Sequence, residues 1–265
     1  MNTTTLSDGT KVFCLNKPEA KVLDSHISGY FQHGIHIKEH DVVFDVGANI
    51  GVFGLRTLQR FTHTQVFAFE PIPFIHEVLE ANAKAYASRF HTFQLGVGKE
   101  VASFPFKYFP FSPALSTAHP EIWEKNPEDL ARATHSQLQK LPKGFRFLRF
   151  LPLFVSKIIA KILQANAVTV QCQIIPLSHI IDLHRIECIH LLKIDCEGAE
   201  YDVLLGIREE HWGKIQQIVA EVYNQDSRVE KVKQLLEAKG FTKIVIEEDD
   251  DVKGANLYNV YATKS

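Results

Sequence analysis

Residues 41–46 (DVVFDV) form a short apolar run that ends in a glycine turn, Gly47 to Gly51, and passes at once into the helical pattern of Ile50 to Arg60. A compact, mostly apolar run of this kind marks a strand covered by helices on both faces, as in a parallel sheet. Glycine permits the tight turn and lets backbone come close to a neighbour. Free N–H groups at the start of the helix face the same end of the strand. A strand that feeds a helix through such a turn confines the chain to an α/β fold. In that class ligands bind at the carboxyl ends of the strands.

The alternation continues. Gln65–Phe69 (QVFAF) reads as a second strand, stopped by Glu70-Pro71. Phe74–Ala87 reads as a helix, with Ile75, Val78, Leu79 and Ala83 on one side. His91–Leu95 is a third strand, closed by Gly96-Val97-Gly98. The pattern resumes with a strand at Ile189–Ile194, a helix from Ala199 to Leu205, a strand at Ile215–Val222 and a helix from Ser227 to Lys239, which Gly240 caps. Phe241–Ile246 and Asn256–Ala262 are separated by an acidic loop too short for a helix, so they form an antiparallel hairpin. The expected fold is Rossmann-like: a seven-stranded, mostly parallel sheet with an antiparallel C-terminal hairpin.

A chain of 265 residues is long for one domain and short for two. The expected organisation is a single domain, with residues 1–40 as an N-terminal extension and 112–167 as an inserted helical lid. The lid contains a helical pattern at Pro127–Leu141. No Asp or Glu occurs between Ala131 and Ile181, whereas Arg132, Lys140, Lys143, Arg146, Arg149, Lys157 and Lys161 all fall there.

Several classes are set aside by composition. A net charge of -2 gives no global argument for nucleic-acid binding. The cysteines Cys14, Cys172, Cys188 and Cys196 show no CxxC pair or metal-ligand spacing, which points to free thiols. The longest apolar stretch, Phe150–Leu163, carries Lys157 and Lys161 and is too short to span a bilayer. The polar N-terminus, with Asp8 and Gly9, does not suit a signal peptide. A cytoplasmic protein without stable membrane insertion is expected.

Three places carry chemistry. The turn after the first strand has the spacing G-x-x-x-G, not the G-x-G-x-x-G of dinucleotide enzymes. Glu70 lies 19 residues beyond Gly51, at a strand end, where a carboxylate accepts both hydroxyls of a ribose. Gly96-Val97 ends the third strand, where backbone groups meet an adenine. The stretch 193–200 (KIDCEGAE) sets Asp195, Glu197 and Glu200 at a strand end that opens a helix. Glu200 there is favoured by the helix dipole whatever the function. Asp195 and Glu197 are expected to face the same crevice as Asp45 and Glu70.

The stretches FDVGANIG (44–51), FEP (69–71), LLKIDCEGAE (191–200) and VAEVY (219–223), in this order and spacing, resemble the FkbM-type methyltransferases. The likeness covers most of residues 40–264. It implies S-adenosylmethionine as cofactor, held by Asp45, Gly47, Ala48, Asn49, Gly51, Glu70 and Pro71, with Gly96, Val97 and Asp195 completing the site. It further implies methyl transfer to a hydroxyl oxygen during tailoring of polyketides, peptides or sugars. Cys196 stands where valine is frequent in the family, and the 112–167 segment is longer than a minimal member needs.

An alcohol acceptor is weakly acidic, so a general base helps. Asp195, Glu197, Glu221 and His119 are the candidates, with His179 as a further histidine beside the insertion. A carboxylate cluster also invites a divalent cation, but metal-free catalysis is expected. Alternatives are an NAD-dependent dehydrogenase, an inactive cofactor-binding module and a nucleic-acid methyltransferase. The last lacks the Asn/Asp-Pro-Pro-aromatic motif used for amino groups of bases. The basic 132–161 segment suits a lid packed on the core or a face for an acidic partner, an acyl carrier protein above all and an anionic membrane second. Reversing the charges of Arg146, Arg149 and Lys157 together is expected to slow turnover of a carrier-bound substrate. Unchanged turnover in that assay counts against docking.

Overall fold

The computed structural model describes residues 1–120, 162, 166–248 and 256–264. The N-terminal hairpin β1 (Asn2–Thr5) and β2 (Lys11–Cys14) leads into α1 (Lys17–His26). Asn16 caps that helix by accepting from the Glu19 N–H at 3.3 Å, with proline in the first turn. The helix runs on into a 3-10 turn, Ile27–Phe31. Then come β3 (Val42–Val46), α2 (Val52–Arg60), β4 (Gln65–Phe69), α3 (Pro73–Ala83) and β5 (Phe90–Phe93).

Next are β6 (Gly96–Val97), β7 (Ala102–Tyr108), β8 (Val168–Ile175) and α4 (Leu177–Leu183). The chain continues through β9 (Leu191–Ile194), α5 (Glu200–Leu205), β10 (Gln217–Tyr223), α6 (Arg228–Ala238), β11 (Lys243–Glu248) and β12 (Leu257–Thr263). The main sheet has seven strands in the order β11-β12-β10-β9-β3-β4-β5. Its five strands from β10 to β5 are parallel, and β12 is antiparallel to both β10 and β11. This is the Rossmann-like architecture expected from the alternation, a mostly parallel seven-stranded sheet with an antiparallel C-terminal hairpin.

Side chains alternate across each strand and so build two cores. Val43, Val66, Ala68, Leu191 and Val219 face one, where α2, α3 and the N-terminal segment pack. Phe44, Phe67, Phe69, Leu192 and Ile218 face the other, beneath α4, α5 and α6. Leu6, Val12, Cys14, Ala20, Tyr30, Ile35 and Ile37 are all buried in the first core. Residues 1–40 are therefore a structural part of the domain.

Boundaries move by a few residues from the sequence expectation. The second helix starts at Val52 because Gly51 takes a left-handed conformation (φ 82°) and acts as its N-cap. The third helix stops at Ala83 and tightens into a 3-10 turn at Lys84–Tyr86. The strands β6, β7 and β8 were not anticipated. They form a separate small sheet in the order β6-β8-β7, with β7 and β8 paired antiparallel from Ala102–Ile174 to Tyr108–Val168. Pro105 breaks the strand signal of β7, and its tolerance follows from the edge position of that strand. The chain then returns along β7 through the Lys107–Thr117 bridge. The proposed helix at 127–141 and the basic 132–161 segment lie outside the described residues.

Gly54 of α2 lies against the ring of Phe90, and a Cβ built there overlaps the ring at Cζ. Replacing glycine by alanine normally stabilises a helix by about 1 kcal/mol. At this site overpacking reverses the sign, so Gly54→Ala is expected to cost about 1–3 kcal/mol. A urea midpoint at or above that of the parent refutes this packing.

Candidate functional site

A cavity of about 600 Å³ opens at the carboxyl ends of β3, β4, β9 and β10. That volume lies in the range of small-molecule and cofactor sites. One wall is apolar. The other is strongly acidic: seven carboxylates (Glu19, Glu70, Glu100, Asp195, Glu197, Asp202, Glu221) line the cavity against two lysines, Lys99 and Lys193. Even with Glu19, Glu70 and Glu197 set aside, whose proton affinity burial raises, four carboxylates face two lysines, a balance that favours a cationic ligand.

Lys193 organises the floor. Its ammonium lies 3.1 Å from Asp45 Oδ1 and 3.4 Å from Asp195 Oδ2. It also donates to the Gly47 carbonyl at 3.1 Å and lies 5.4 Å from the centre of the Tyr30 ring. Burial works against its charge, yet the two carboxylates outweigh it and hold the ammonium above its ordinary pKa. Tyr30 reaches in from the N-terminal segment and donates its hydroxyl to Asp195 Oδ2 at 2.9 Å.

Glu70 sits at the end of β4, almost fully buried. Its Oε2 accepts from the Asn49 N–H at 3.2 Å and its Oε1 from the Ile72 N–H at 3.0 Å. Each oxygen keeps a second lone pair for a ligand. Burial raises this carboxyl to about 7 despite the two backbone donors.

Glu197 follows β9 in a left-handed conformation (φ 52°), uncommon for a residue with a side chain and concentrated at functional sites. Tyr223, at the end of β10, donates to its Oε2 at 3.1 Å. Thr117 donates its hydroxyl to the Glu197 carbonyl at 2.6 Å. Burial first, then Asp195 and Glu200, push the Glu197 carboxyl well above the usual carboxylate range.

The structure brings Gly47, Ala48, Asn49, Glu70, Pro71, Gly96, Val97, His119, Asp195, Glu197 and Glu221 together on this one cavity. Two expected contributors lie elsewhere. Asp45 is fully buried beneath the floor, paired with Lys193. Gly51 packs against Leu79 and Phe90 at the start of α2. Gly47 borders the cavity, but its lack of a side chain serves another contact. A Cβ there overlaps the Asp195 carbonyl oxygen, so glycine lets the loops after β3 and β9 touch. His179 is exposed on α4 and does not line the cavity.

Sequence reasoning gave no role to Lys193, Tyr30, Thr117, Tyr223 or Glu19. A lysine inside a buried strand (LLKI) was a usable signal, because lysine is rarely buried without partners. Tyr30 and Thr117 carried none, since their partners are distant in the chain. Among the described residues, no group of three or more His, Cys, Asp or Glu side chains is arranged to hold a metal ion. Among them, too, no helix is long and apolar enough to cross a membrane.

The family profile described as "Methyltransferase FkbM domain" matches residues 45–243. The chain belongs to the FkbM methyltransferase family. The 31-O-demethyl-FK506 methyltransferase FkbM of Streptomyces tacrolimicus is 31% identical over 268 residues, covering 100% of this chain and 98% of that one. Methyltransferase sdnD of Sordaria araneosa is 29% identical over 246 residues, covering 89% of this chain and 87% of sdnD. The AMB antimetabolite synthetase AmbE of Pseudomonas aeruginosa is 32% identical over 98% of this chain, which spans 12% of AmbE. This FkbM-family chain is thus a methyltransferase with its cavity at the strand ends.

Glu200, fully buried on α5, accepts the Gly198 N–H at 2.7 Å, and burial raises its carboxyl from 4.5 to about 7. A carboxyl raised on folding keeps its proton in the native state and loses it in the unfolded chain between those two values. Its contribution therefore falls as pH rises through that window and is flat above it. Urea midpoints of the parent are expected to drop from about pH 5 to about pH 8 more steeply than those of Glu200→Gln. Parallel curves mean that Glu200 is ionised throughout.

Proposed function

We propose that this chain is an S-adenosylmethionine-dependent O-methyltransferase acting on a hydroxyl of a natural-product intermediate, a polyketide or a peptide. The observation that carries the cofactor assignment is the excess of carboxylates over lysines around the cavity, with Glu70 held at the end of β4 by two backbone N–H groups. A cationic sulfonium ligand suits that field, and a ribose suits Glu70. Ala48, Asn49, Pro71, Gly96 and Val97 would complete the pocket, with Asp195 toward the cationic end. When bound, the cofactor supplies an electrophilic methyl group. Oxygen as acceptor, and a natural product as substrate, rest on the name of the 31-O-demethyl-FK506 methyltransferase, 98% of which this chain matches.

The protein's own task is to position the acceptor and take its proton. Asp195 is committed to Lys193 and Tyr30, which holds its side chain in place. Glu197 is the base in this reading. Its carboxyl lies in the cavity, is oriented by Tyr223, and has a raised proton affinity. Glu221 and His119 line the same space and supply field and shape. For the partner, the proposal includes an acyl carrier protein docked on residues 132–161, because seven cations fall in that stretch without an acidic residue among them.

Calorimetry with S-adenosylhomocysteine and NAD on the parent, Glu70→Ala and Glu197→Gln tests the assignment. Binding of S-adenosylhomocysteine but not NAD is expected, weakened about tenfold or more in Glu70→Ala and within about threefold of the parent in Glu197→Gln. Glu197→Gln should lower kcat by about 100- to 10,000-fold, and the parent's kcat should rise with pH as the base ionises. Binding of NAD alone replaces the methyltransferase reading by a dehydrogenase. Retention of kcat in Glu197→Gln removes the base assignment.

A further inference from the structure

The cavity continues away from the strand ends into a space walled by one face of α1 and by residues 111–115. From α1 and the 3-10 turn after it come Pro18, Val22, Leu23 and Ile27; from the facing segment come Phe111 and Leu115. Positions 19, 23, 26, 27 and 30 recur at helical spacing, so a single stripe of the N-terminal segment looks into the cavity. Phe111 remains 48% exposed, and Val22 and Leu23 are only half-buried. Apolar side chains left open inside a cavity are available to cover an apolar ligand.

Two hydrogen bonds hold the walls together. Asn16 Nδ2 donates to the Phe111 carbonyl at 3.2 Å, and the Ala114 N–H donates to Glu19 Oε1 at 2.6 Å. Arg56 of α2 fixes the back of α1 by donating from Nε to Asp24 at 2.8 Å. Both walls also lead directly to the carboxylates. Thr117, two residues beyond Leu115, binds the Glu197 backbone, and Tyr30, at the end of the α1 segment, binds Asp195.

We infer that the α1 face and residues 111–115 form the acceptor subsite, which takes an uncharged, elongated apolar molecule and brings its hydroxyl to Glu197. The inference rests on the proposed base at Glu197 for its direction, but the subsite itself is a matter of binding. An anionic ligand is disfavoured there, because Glu221 and Asp195 meet it at the inner end. A hydroxyl meets no such penalty. The element that selects the acceptor therefore includes residues 16–27, which precede the span matched by the family profile.

The test uses the full chain without cofactor and the uncharged fluorophore N-phenyl-1-naphthylamine as probe. One saturable site is expected, from which 1-decanol displaces the probe at least about tenfold better than decanoate. Val22→Asp and Phe111→Ser should each weaken probe binding by about tenfold. Neither residue belongs to the packed cores, and S-adenosylhomocysteine affinity within about twofold of the parent shows that each variant is folded. Probe binding unchanged in both variants, no saturable site, or equal displacement by decanol and decanoate overturns the inference. Failure of the parent to bind S-adenosylhomocysteine, with these probe results intact, instead removes the cofactor assignment and leaves the apolar subsite standing.

Discussion

The buried ammonium of Lys193 joins the parts of this molecule that have to meet. It lies at the end of β9, yet its partners are Asp45 on β3, the Gly47 carbonyl in the turn after β3, and Asp195 beyond its own strand. A lone lysine in that position is costly, and so is a lone Asp45. Together they tie the two central strands at the end where the cavity opens. Tyr30 then donates to the same Asp195 oxygen that Lys193 approaches, which anchors the N-terminal segment. The cavity floor, the turn after β3 and the N-terminal wall thus share one electrostatic centre.

That centre also divides the carboxylates. Asp195 answers to a cation and a phenol, whereas Glu197 answers to a phenol and is pushed up by burial and by like charges. Two acids two residues apart thus sit among different partners.

Much of the main sheet was legible because its strands are buried on both faces and read as plain apolar runs, and because glycines at 47, 51 and 240 mark the turns. The antiparallel hairpin followed from the shortness of its loop alone. The small sheet was not legible: β6 is two residues long, β7 contains Pro105, and β8 is interrupted by the polar Thr169, Gln171 and Gln173. Within the site, Glu70 and Glu197 were readable from their places after strands. Asp45 and Gly51 share the same motif as Ala48 and Asn49, but a motif does not say which of its members face a ligand and which face the core. Tyr30 was beyond reach, since its contact with Asp195 spans 165 residues.

The placement of β12 has a consequence for self-association. Glu221 and Tyr223 lie on β10, whose outer edge is covered by β12, and β11 joins the sheet through β12. When residues 257–263 detach, β10 is left with a bare edge and β11 loses its place in the sheet. Bare edges recruit other strands, so the pairing of β12 also guards the molecule against joining a second copy. The acidic run at 247–251, next to β11 in the chain, sets like charges against such pairing.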